Sequence, residues 1–229
     1  MSSIVVIPAR GGSKRISRKN IKEFFGKPII AYSIEAAIES CVFDEVMVST
    51  DDEEIAETAK DNGAVVPFYR SEEMSSDSAM TAQVLIEVLG EYDKMGKAFT
   101  YICCLYPCAP FVTAERLKEG MNLLESSGAD SVFPVARFSS PPQRALVIRD
   151  GGLTMLNPEN YNVRSQDLEP LYHDAGQFYC IKSTSLREEE KLYCRRTLPI
   201  VLSDNEVQDI DTEDDWTAAE IKYRILRGF

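Results

Sequence analysis

The sequence of 229 residues predicts a single α/β domain built on a mostly parallel β-sheet. Apolar runs of strand length alternate with segments of roughly 10–15 residues that carry apolar side chains at helical spacing. Turn and capping residues separate these segments. Parallel strands joined by helices in this way form right-handed βαβ units. The length is sufficient for one domain with a sizeable buried core.

The first half of this pattern begins with a continuous β-branched run at residues 3–7, which predicts a buried strand. Residues 29–38 follow as a helix, introduced by a proline that suits a first helical turn. Residues 45–49 are the second predicted strand. Acidic and hydroxyl side chains at residues 50–54 then predict the start of another helix, which Asn-Gly ends at Gly63.

The middle of the chain continues the alternation of strands and helices. Residues 64–68 form a short predicted strand and residues 81–92 a helix. The strongly apolar run at 99–105 predicts a central strand that nearby prolines end. A helix at 113–126, capped by its initial threonine, and a strand at 129–135 complete this part.

The regular pattern breaks down between residues 137 and 172, where Pro-Pro and Gly-Gly pairs punctuate short segments. We interpret residues 137–172 as an inserted hairpin arm that serves dimer contact or substrate recognition. Strands are again predicted at 177–182 and 198–202. A cluster of acids at 211–215 caps a last helix that runs to about residue 227.

Composition and charge exclude several classes of function. A net charge of -12 argues against nonspecific binding to nucleic acids or membranes. No run approaches the ~18 apolar residues of a membrane span, and no signal-peptide pattern precedes the first strand. The six cysteines form no C-x-x-C pair, so we interpret them as reduced thiols of a cytoplasmic protein.

A basic loop directly follows the first predicted strand. Between residues 10 and 27 it carries one acid, Glu23, and seven cations, which are Arg10, Lys14, Arg15, Arg18, Lys19, Lys22 and Lys27. Adjacent glycines allow backbone N–H groups to approach an anion. Neither the Walker A pattern nor G-x-G-x-x-G fits the loop. Because ligands of such sheets bind at the carboxyl ends of strands, the loop predicts a polyphosphate site there.

A pair of carboxylates stands near the other end of the chain, in the run Asp209-Ile210-Asp211. In an extended segment Asp209 and Asp211 point to one side while Ile210 faces the core. Two such carboxylates suit Mg²⁺, which takes its remaining ligands from water and phosphate. Asp211 or Thr212 could instead simply cap the last helix, and the motif alone leaves both interpretations open. The polyphosphate loop in the same chain favours the metal.

Other candidate residues have weaker signals. His173, the only histidine, precedes Asp174 and could form an acid–base pair, although a structural role is more typical of a lone histidine near a strand. Ser13 has no base beside it, which favours phosphate binding over nucleophilic catalysis. Arg70 is either a surface charge or a contact to a base or ribose.

Several motifs in order along nearly the whole chain resemble the cytidylyltransferases that activate nine-carbon, sialic-type sugars. They are PARGGSKR at 8–15, RKNI at 18–21, VSTDDEEIA at 48–56 and DIDT at 209–212. Within that group, the runs YPCAPF at 106–111 and HDAGQFY at 173–179 are most similar to the pseudaminic acid enzymes. Cys108 departs from the family pattern, where a threonine is expected.

This resemblance implies a Rossmann-like nucleotidyltransferase fold, which is a three-layer sandwich, and a homodimer with a small dimerisation arm. It also implies CTP and a nine-carbon keto sugar acid as substrates, with Mg²⁺ as cofactor. The implied nucleotide-binding residues are Ala9, Arg10, Gly11, Gly12, Ser13, Lys14, Asn20, Arg70 and Thr81. The implied sugar-binding residues are Tyr106, Gly176 and Gln177, and the implied metal ligands are Asp209 and Asp211. The implied catalytic residues are Arg10, Lys14, Lys19, Arg164 and Asp211.

The resulting hypothesis is transfer of CMP from CTP to the anomeric hydroxyl of a nonulosonic acid, with pseudaminic acid favoured. A sister enzyme acting on N-acetylneuraminate or legionaminate is the nearest alternative. A nucleotide-binding regulatory protein without catalytic activity is an alternative of another class, against which the intact carboxylate pair and basic loop argue. An NAD(P)-dependent oxidoreductase lacks support because the dinucleotide fingerprint is missing.

Overall fold

A seven-stranded β-sheet forms the centre of the fold in the computed structural model, which describes residues 2–228. The strands are β1 (Ser3–Pro8), β2 (Glu23–Phe24), β3 (Lys27–Pro28), β4 (Glu45–Ser49), β5 (Tyr101–Leu105), β6 (Ser131–Arg137), β7 (Leu146–Arg149), β8 (Gly152–Met155), β9 (Tyr172–Asp174), β10 (Phe178–Lys182) and β11 (Thr197–Leu202). The helices are α1 (Ile29–Ser40), α2 (Glu53–Asp61), α3 (Glu72–Ser75), α4 (Thr81–Lys94), α5 (Ala114–Ser127), α6 (Ser183–Glu189) and α7 (Glu213–Arg227).

The strand order in the central sheet is β11-β6-β10-β5-β1-β4, and β9 also pairs with β6. β1 is parallel to β4 and β5, and β11 is parallel to β6, whereas β10 is antiparallel to both of its neighbours. The prediction of a mostly parallel sheet is therefore confirmed for five of these strands. The carboxyl ends of those five strands lie at one edge of the sheet, and the amino end of β10 lies at the same edge.

Helices cover both faces of the sheet, which gives the predicted three-layer sandwich. Val5 and Ile7 of β1 pack in one cluster with side chains of α1, α2 and α5. Ile4 and Val6 point to the opposite face and pack with side chains of α4 and α6. Successive side chains of β1 thus pack alternately into two apolar layers, which explains why the run Ile4–Ile7 is continuously apolar. Among the residues from 2 to 228, every helix is too short or too polar to cross a bilayer.

Capping residues fix the helix starts that the sequence predicts. The Asp52 side chain accepts a hydrogen bond from Ile55 N and begins α2, and Thr113 accepts one from Arg116 N at α5. α7 begins with a reciprocal capping box between Thr212 and Asp215. Asp211 itself therefore does not cap this helix.

Two predictions about secondary structure need correction. Residues 64–68 do not form a strand, because Val65 makes only an isolated bridge with Met47. Pro67 has no backbone N–H to donate, so the ladder cannot continue past it. The strand predicted at 177–182 exists as β10 but runs against its neighbours. The short helices α3 and α6 were not predicted.

The segment predicted as an inserted arm contains the separate antiparallel hairpin β7–β8. Asp150 and Gly151 form its turn, and both have positive φ, of 51° and 76°. This is the backbone geometry that two-residue hairpin turns favour. Apolar side chains on the hairpin are exposed, with Ile148 at 77% and Leu153 at 64%.

Candidate nucleotide site

A cleft of ≈ 560 Å³ opens at the edge where the parallel strands end. Asp77 and four chain segments line it, and each of the four segments leaves or enters the sheet at this edge. They are the basic loop after β1, residues 106–108 after β5, Gly176 before β10, and residues 209–211 after β11. The cleft therefore lies where open parallel sheets characteristically bind ligands.

The backbone of the basic loop is anchored to the chain that follows β4. Ala9 N donates to Ser49 O at 2.9 Å, and Gly11 N donates to the Asp51 carboxylate at 3.0 Å. Arg18, which has a left-handed backbone with φ of 54°, pairs with Asp52 and Glu54 at the start of α2. These contacts fix the course of the loop and leave Arg10, Ser13 and Lys14 on the wall of the cleft.

An aspartate that the sequence analysis did not single out neutralises part of the basic loop. Asp77 Oδ1 accepts a hydrogen bond from Arg10 Nη1 at 2.7 Å, and its second oxygen pairs with Lys14. Hydrogen bonds from Lys14 and Arg10 lower the pKa of Asp77. Asp77 also lines the cleft, so a carboxylate already occupies the cationic surface that a phosphate would use.

The basic loop and the carboxylate pair, which are separated by about 190 residues, meet in this cleft. Lys19 Nζ donates to Ile210 O at 2.5 Å and lies 3.3 Å from Asp211 Oδ1. Arg15 Nη1 lies 3.0 Å from Asp211 Oδ2. The predicted core position of Ile210 is confirmed, since only 1% of its surface is exposed. Asp209 and Asp211 both line the cleft beside the cations.

The donor set at this carboxylate pair fits a magnesium ion that keeps most of its ligands from elsewhere. Among the described residues, no group of three or more His, Cys, Asp or Glu side chains could hold a metal. Two carboxylates with phosphate and water oxygens are the usual arrangement for Mg²⁺. Desolvation and the nearby charge of Asp211 raise the pKa of Asp209, a repulsion that a bound cation would relieve.

A second cavity of ≈ 200 Å³ adjoins the cleft and shares Arg10, Asp77 and Tyr106 with it. Arg70 and Thr81 line this cavity, as expected of residues around a nucleoside. Arg70 Nε donates to Ser49 Oγ at 3.0 Å, and its Nη2 donates to Ser49 O at 2.5 Å. Burial lowers the pKa of Arg70, so its guanidinium is a rigid and partly desolvated cation at the end of β4.

Asn20 lines the cleft but is nearly buried, and its side chain holds the loop together. Its Nδ2 donates to Arg10 O at 3.0 Å, and its Oδ1 accepts from Cys108 Sγ at 3.4 Å. Burial raises the pKa of Cys108 to about 12, so the thiol stays protonated and can donate. Cys108 thus supplies a hydrogen bond where the family resemblance led us to expect a threonine hydroxyl.

Five predicted site residues do not line either cavity. Ala9 is fully buried, Gly11 and Gly12 form the loop outside the cleft wall, and Arg164 pairs with Asp167 on the exposed arm. The Gln177 side chain is 3% exposed and donates to Glu206 O at 2.5 Å, so it points away from the cleft. His173 is also outside, and its ring packs against Phe138 at an interplanar angle of 58°.

Two cleft residues, Arg15 and Asp77, were missing from the predicted set. Arg15 belongs to the basic loop, and its place in that run was the available signal. Asp77 lies in a polar loop between α3 and α4, and no motif marks it. A cluster of cations generally requires nearby carboxylates, but this rule does not say which acidic residue of the chain supplies them.

Comparisons with known proteins identify the family of the chain. Residues 4–179 match the family model described as cytidylyltransferase. The chain is 40% identical over 226 residues to a pseudaminic acid cytidylyltransferase of Campylobacter jejuni, covering 98% of this chain and 97% of that protein. It is 34% identical to the CMP-N,N'-diacetyllegionaminic acid synthase of Legionella pneumophila, covering 96% and 95% of the two chains.

A solved structure supports the fold assignment. The CMP:2-keto-3-deoxy-manno-octonic acid synthetase complexed with CTP superposes with a TM-score of 0.71 and covers 100% of both chains, at 16% identity. At this level of identity the likeness concerns the fold alone. The family match and the two relatives show that the chain belongs to the cytidylyltransferase family.

Proposed function

We propose that this cytidylyltransferase transfers CMP from CTP to the anomeric hydroxyl of pseudaminic acid, a nine-carbon keto sugar acid, and releases pyrophosphate. The observation that carries the proposal is the convergence of the basic loop and the carboxylate pair in one cleft. The choice of sugar rests on the Campylobacter relative at 40% identity.

In the proposed reaction the anomeric oxygen bonds to the α-phosphorus and loses its proton, while the bond from that phosphorus to the β-phosphate oxygen breaks. Arg10, Lys14 and Lys19 would hold the phosphates and offset the negative charge that develops. Such catalysis consists mainly of positioning and electrostatic stabilisation. Arg70 and Thr81 in the adjoining cavity would bind the nucleoside, and Tyr106 and Gly176 would face the sugar.

We further propose that Asp209 and Asp211 hold Mg²⁺ when the nucleotide is bound. The ion would supply charge neutralisation to the phosphates and act as a Lewis acid toward their oxygens. The chain contributes two carboxylates that line the cleft and a lysine, Lys19, that contacts both the segment between them and Asp211.

A sister specificity is the second candidate. The Legionella relative, at 34% identity, is named for N,N'-diacetyllegionaminic acid, and N-acylneuraminate enzymes also match. Pseudaminic and legionaminic acids are both nine-carbon keto acids, so the phosphate and metal contacts would be the same. The side chains near Tyr106 and Gly176 would make the distinction.

The test is release of pyrophosphate with CTP, ATP, GTP or UTP against a panel of nonulosonic acids, with and without Mg²⁺. We expect turnover only with CTP, dependent on the metal and fastest with pseudaminic acid. Faster turnover with legionaminic acid or N-acetylneuraminate would reassign the sugar. Nucleotide binding without pyrophosphate release for any sugar would favour the regulatory alternative.

We also propose a homodimer that pairs through the arm. Ile148 and Leu153 are exposed on the hairpin, and Arg164 lies on the same arm away from its own cleft. A second copy would cover these side chains and could bring Arg164 to the partner's site. Sedimentation should show a dimer that Ile148→Asp weakens, whereas Met95→Asp at the exposed end of α4 should not. A monomer at all concentrations would contradict the proposal.

Six free thiols, four of them buried, support action in the reducing cytoplasm.

A further inference from the structure

The wall between the two cavities is built around one tyrosine. Tyr106 lines both the cleft and the adjoining cavity. Its ring packs edge-on against the ring of Tyr179, with the ring centroids 5.5 Å apart. Tyr106 N also donates to Gln177 O at 2.8 Å. The orientation of Tyr106 therefore depends on the segment that leads into β10.

Tyr179 is itself oriented from behind by a carboxylate. It is 5% exposed, and its hydroxyl donates to Asp174 Oδ2 at 2.8 Å. A buried hydroxyl that loses its partner costs free energy, so this bond strongly favours one position of the phenol. Asp174 therefore fixes the phenol against which the Tyr106 ring packs at the cleft wall.

The other oxygen of the same carboxylate fixes a second part of the wall. Asp174 Oδ1 accepts a hydrogen bond from Gly176 N at 2.8 Å. Gly176 lines the cleft and has φ of 63°, a left-handed conformation that glycine tolerates and that the aspartate stabilises. Pairing with β6, where Asp174 lies opposite Val135, anchors the backbone of the carboxylate itself.

We infer that Asp174 is a positioning residue for the sugar acid, acting through Tyr179 on Tyr106 and directly on the Gly176 turn. The inference rests on the proposed function, because Tyr106 and Gly176 are the residues proposed to face the sugar. Asp174 lines neither cavity, so it does not touch the substrate. The cations proposed to hold the phosphates are on other elements, so the effect of Asp174 on the sugar should exceed its effect on CTP, which it can reach only through the shared Tyr106 wall.

The experiment compares the unmodified protein with Asp174→Asn, Asp174→Ala, Tyr179→Phe and the double variant Asp174→Ala/Tyr179→Phe. We expect Asp174→Ala to raise KM for the sugar acid about 10-fold, with a clearly smaller rise in KM for CTP, because each lost hydrogen bond weakens positioning by a modest factor. Asp174→Asn keeps an acceptor for Gly176 and should have a smaller effect. The double variant should lose less than the product of the single losses.

Asp61→Asn, at the exposed end of α2, is the control for removal of one negative charge and should match the unmodified protein. Unchanged sugar KM in Asp174→Ala, or equal rises in both KM values, would overturn the inference. Crystal structures of the unmodified protein and Asp174→Ala give a readout that needs no substrate. If no sugar is turned over at all, the proposed function fails. The crystal structures then decide the positioning role separately. If the Gly176 turn and the Tyr106 ring keep their positions in Asp174→Ala, the role is overturned, and if they are displaced, it is supported.

Discussion

Replacement of Gly11 by alanine tests how the basic loop is anchored. A Cβ at this position would lie 2.6 Å from Asp52 Oδ2 and 3.0 Å from Asp52 Cβ. The carboxylate cannot easily move away, because Oδ1 accepts from Ile55 N and from Arg18 Nη2, both at 3.0 Å. The alanine must therefore displace either the loop or the residue that caps α2.

Either displacement has a cost that can be approximated. Loss of a helix N-cap costs about 1 kcal/mol, and overpacking costs typically about 1–3 kcal/mol. We expect the free energy of unfolding of Gly11→Ala to fall by about 1–2 kcal/mol. In a chain of this size that lowers Tm by roughly 2–8 °C. Since Arg10 and Ser13 flank the displaced backbone, KM for CTP should also rise.

Gly12→Ala is the matched control, because nothing lies within 4 Å of a Cβ built at Gly12. Its stability should stay within about 0.5 kcal/mol of the unmodified protein. Urea unfolding gives both values. The reasoning is refuted if the two alanines are equally tolerated, or if Gly11→Ala is no less harmful in an Asp52→Ala background, where the clashing carboxylate is gone.

Three further predictions concern the metal site, the ion pair between Arg18 and Asp52, and glycines within two helices. Asp211→Ala should lower Mg²⁺-dependent pyrophosphate release by about 10²–10³ with unchanged circular dichroism, because the cap of α7 does not use the Asp211 side chain. Full activity would remove the metal assignment. A hydrogen bond from Arg18 lowers the pKa of Asp52 in the folded state. The ionised Asp52 carboxylate therefore stabilises the fold fully above about pH 4, and this stabilisation is lost as the pH falls through the lowered pKa of the folded state. Asp52→Asn, which can still cap α2, should therefore lose less stability than the unmodified protein between pH 5 and roughly pH 3, and parallel urea-unfolding curves would contradict this. Gly120→Ala should lower the stability of the protein by about 1–3 kcal/mol, because its Cβ would lie 2.9 Å from the buried Phe178. Gly90→Ala is also helical but lies in open space, and it should raise the stability by about 0.5–1 kcal/mol. Equal melting temperatures for the two variants would contradict the packing.

The sequence predicted most elements because local signals and tertiary packing agree along most of this chain. The run Ile4–Ile7 is apolar at every position, and β1 is indeed buried on both faces. Thr113 and Asp52 predicted helix starts, since each side chain can satisfy a backbone N–H only at that place. The direction of β10 was not predictable from such signals, because apolar periodicity is the same for parallel and antiparallel strands.

The candidate site was predictable where chemistry is concentrated in a short run and unpredictable where single residues contribute. In the basic loop and in the Asp209–Asp211 pair, the residues that indicate the chemistry lie within a short stretch of sequence. Asp77 and Asp174 do not, because each acts through contacts to distant segments that only the fold brings close. Gln177 shows the opposite case, since a motif marked it while its side chain turned inward to Glu206.

The charges of the cleft explain why the basic loop is compatible with an acidic protein. Arg10 and Lys14 pair with Asp77, while Arg15 and Lys19 pair with Asp211, so each of these cations already has an anionic partner. A triphosphate that binds here exchanges these partners. A cation taken up by Asp211 would free the two basic side chains that hold it for phosphate oxygens. Metal and nucleotide should therefore strengthen each other's binding, and by linkage the effect must be equal in both directions.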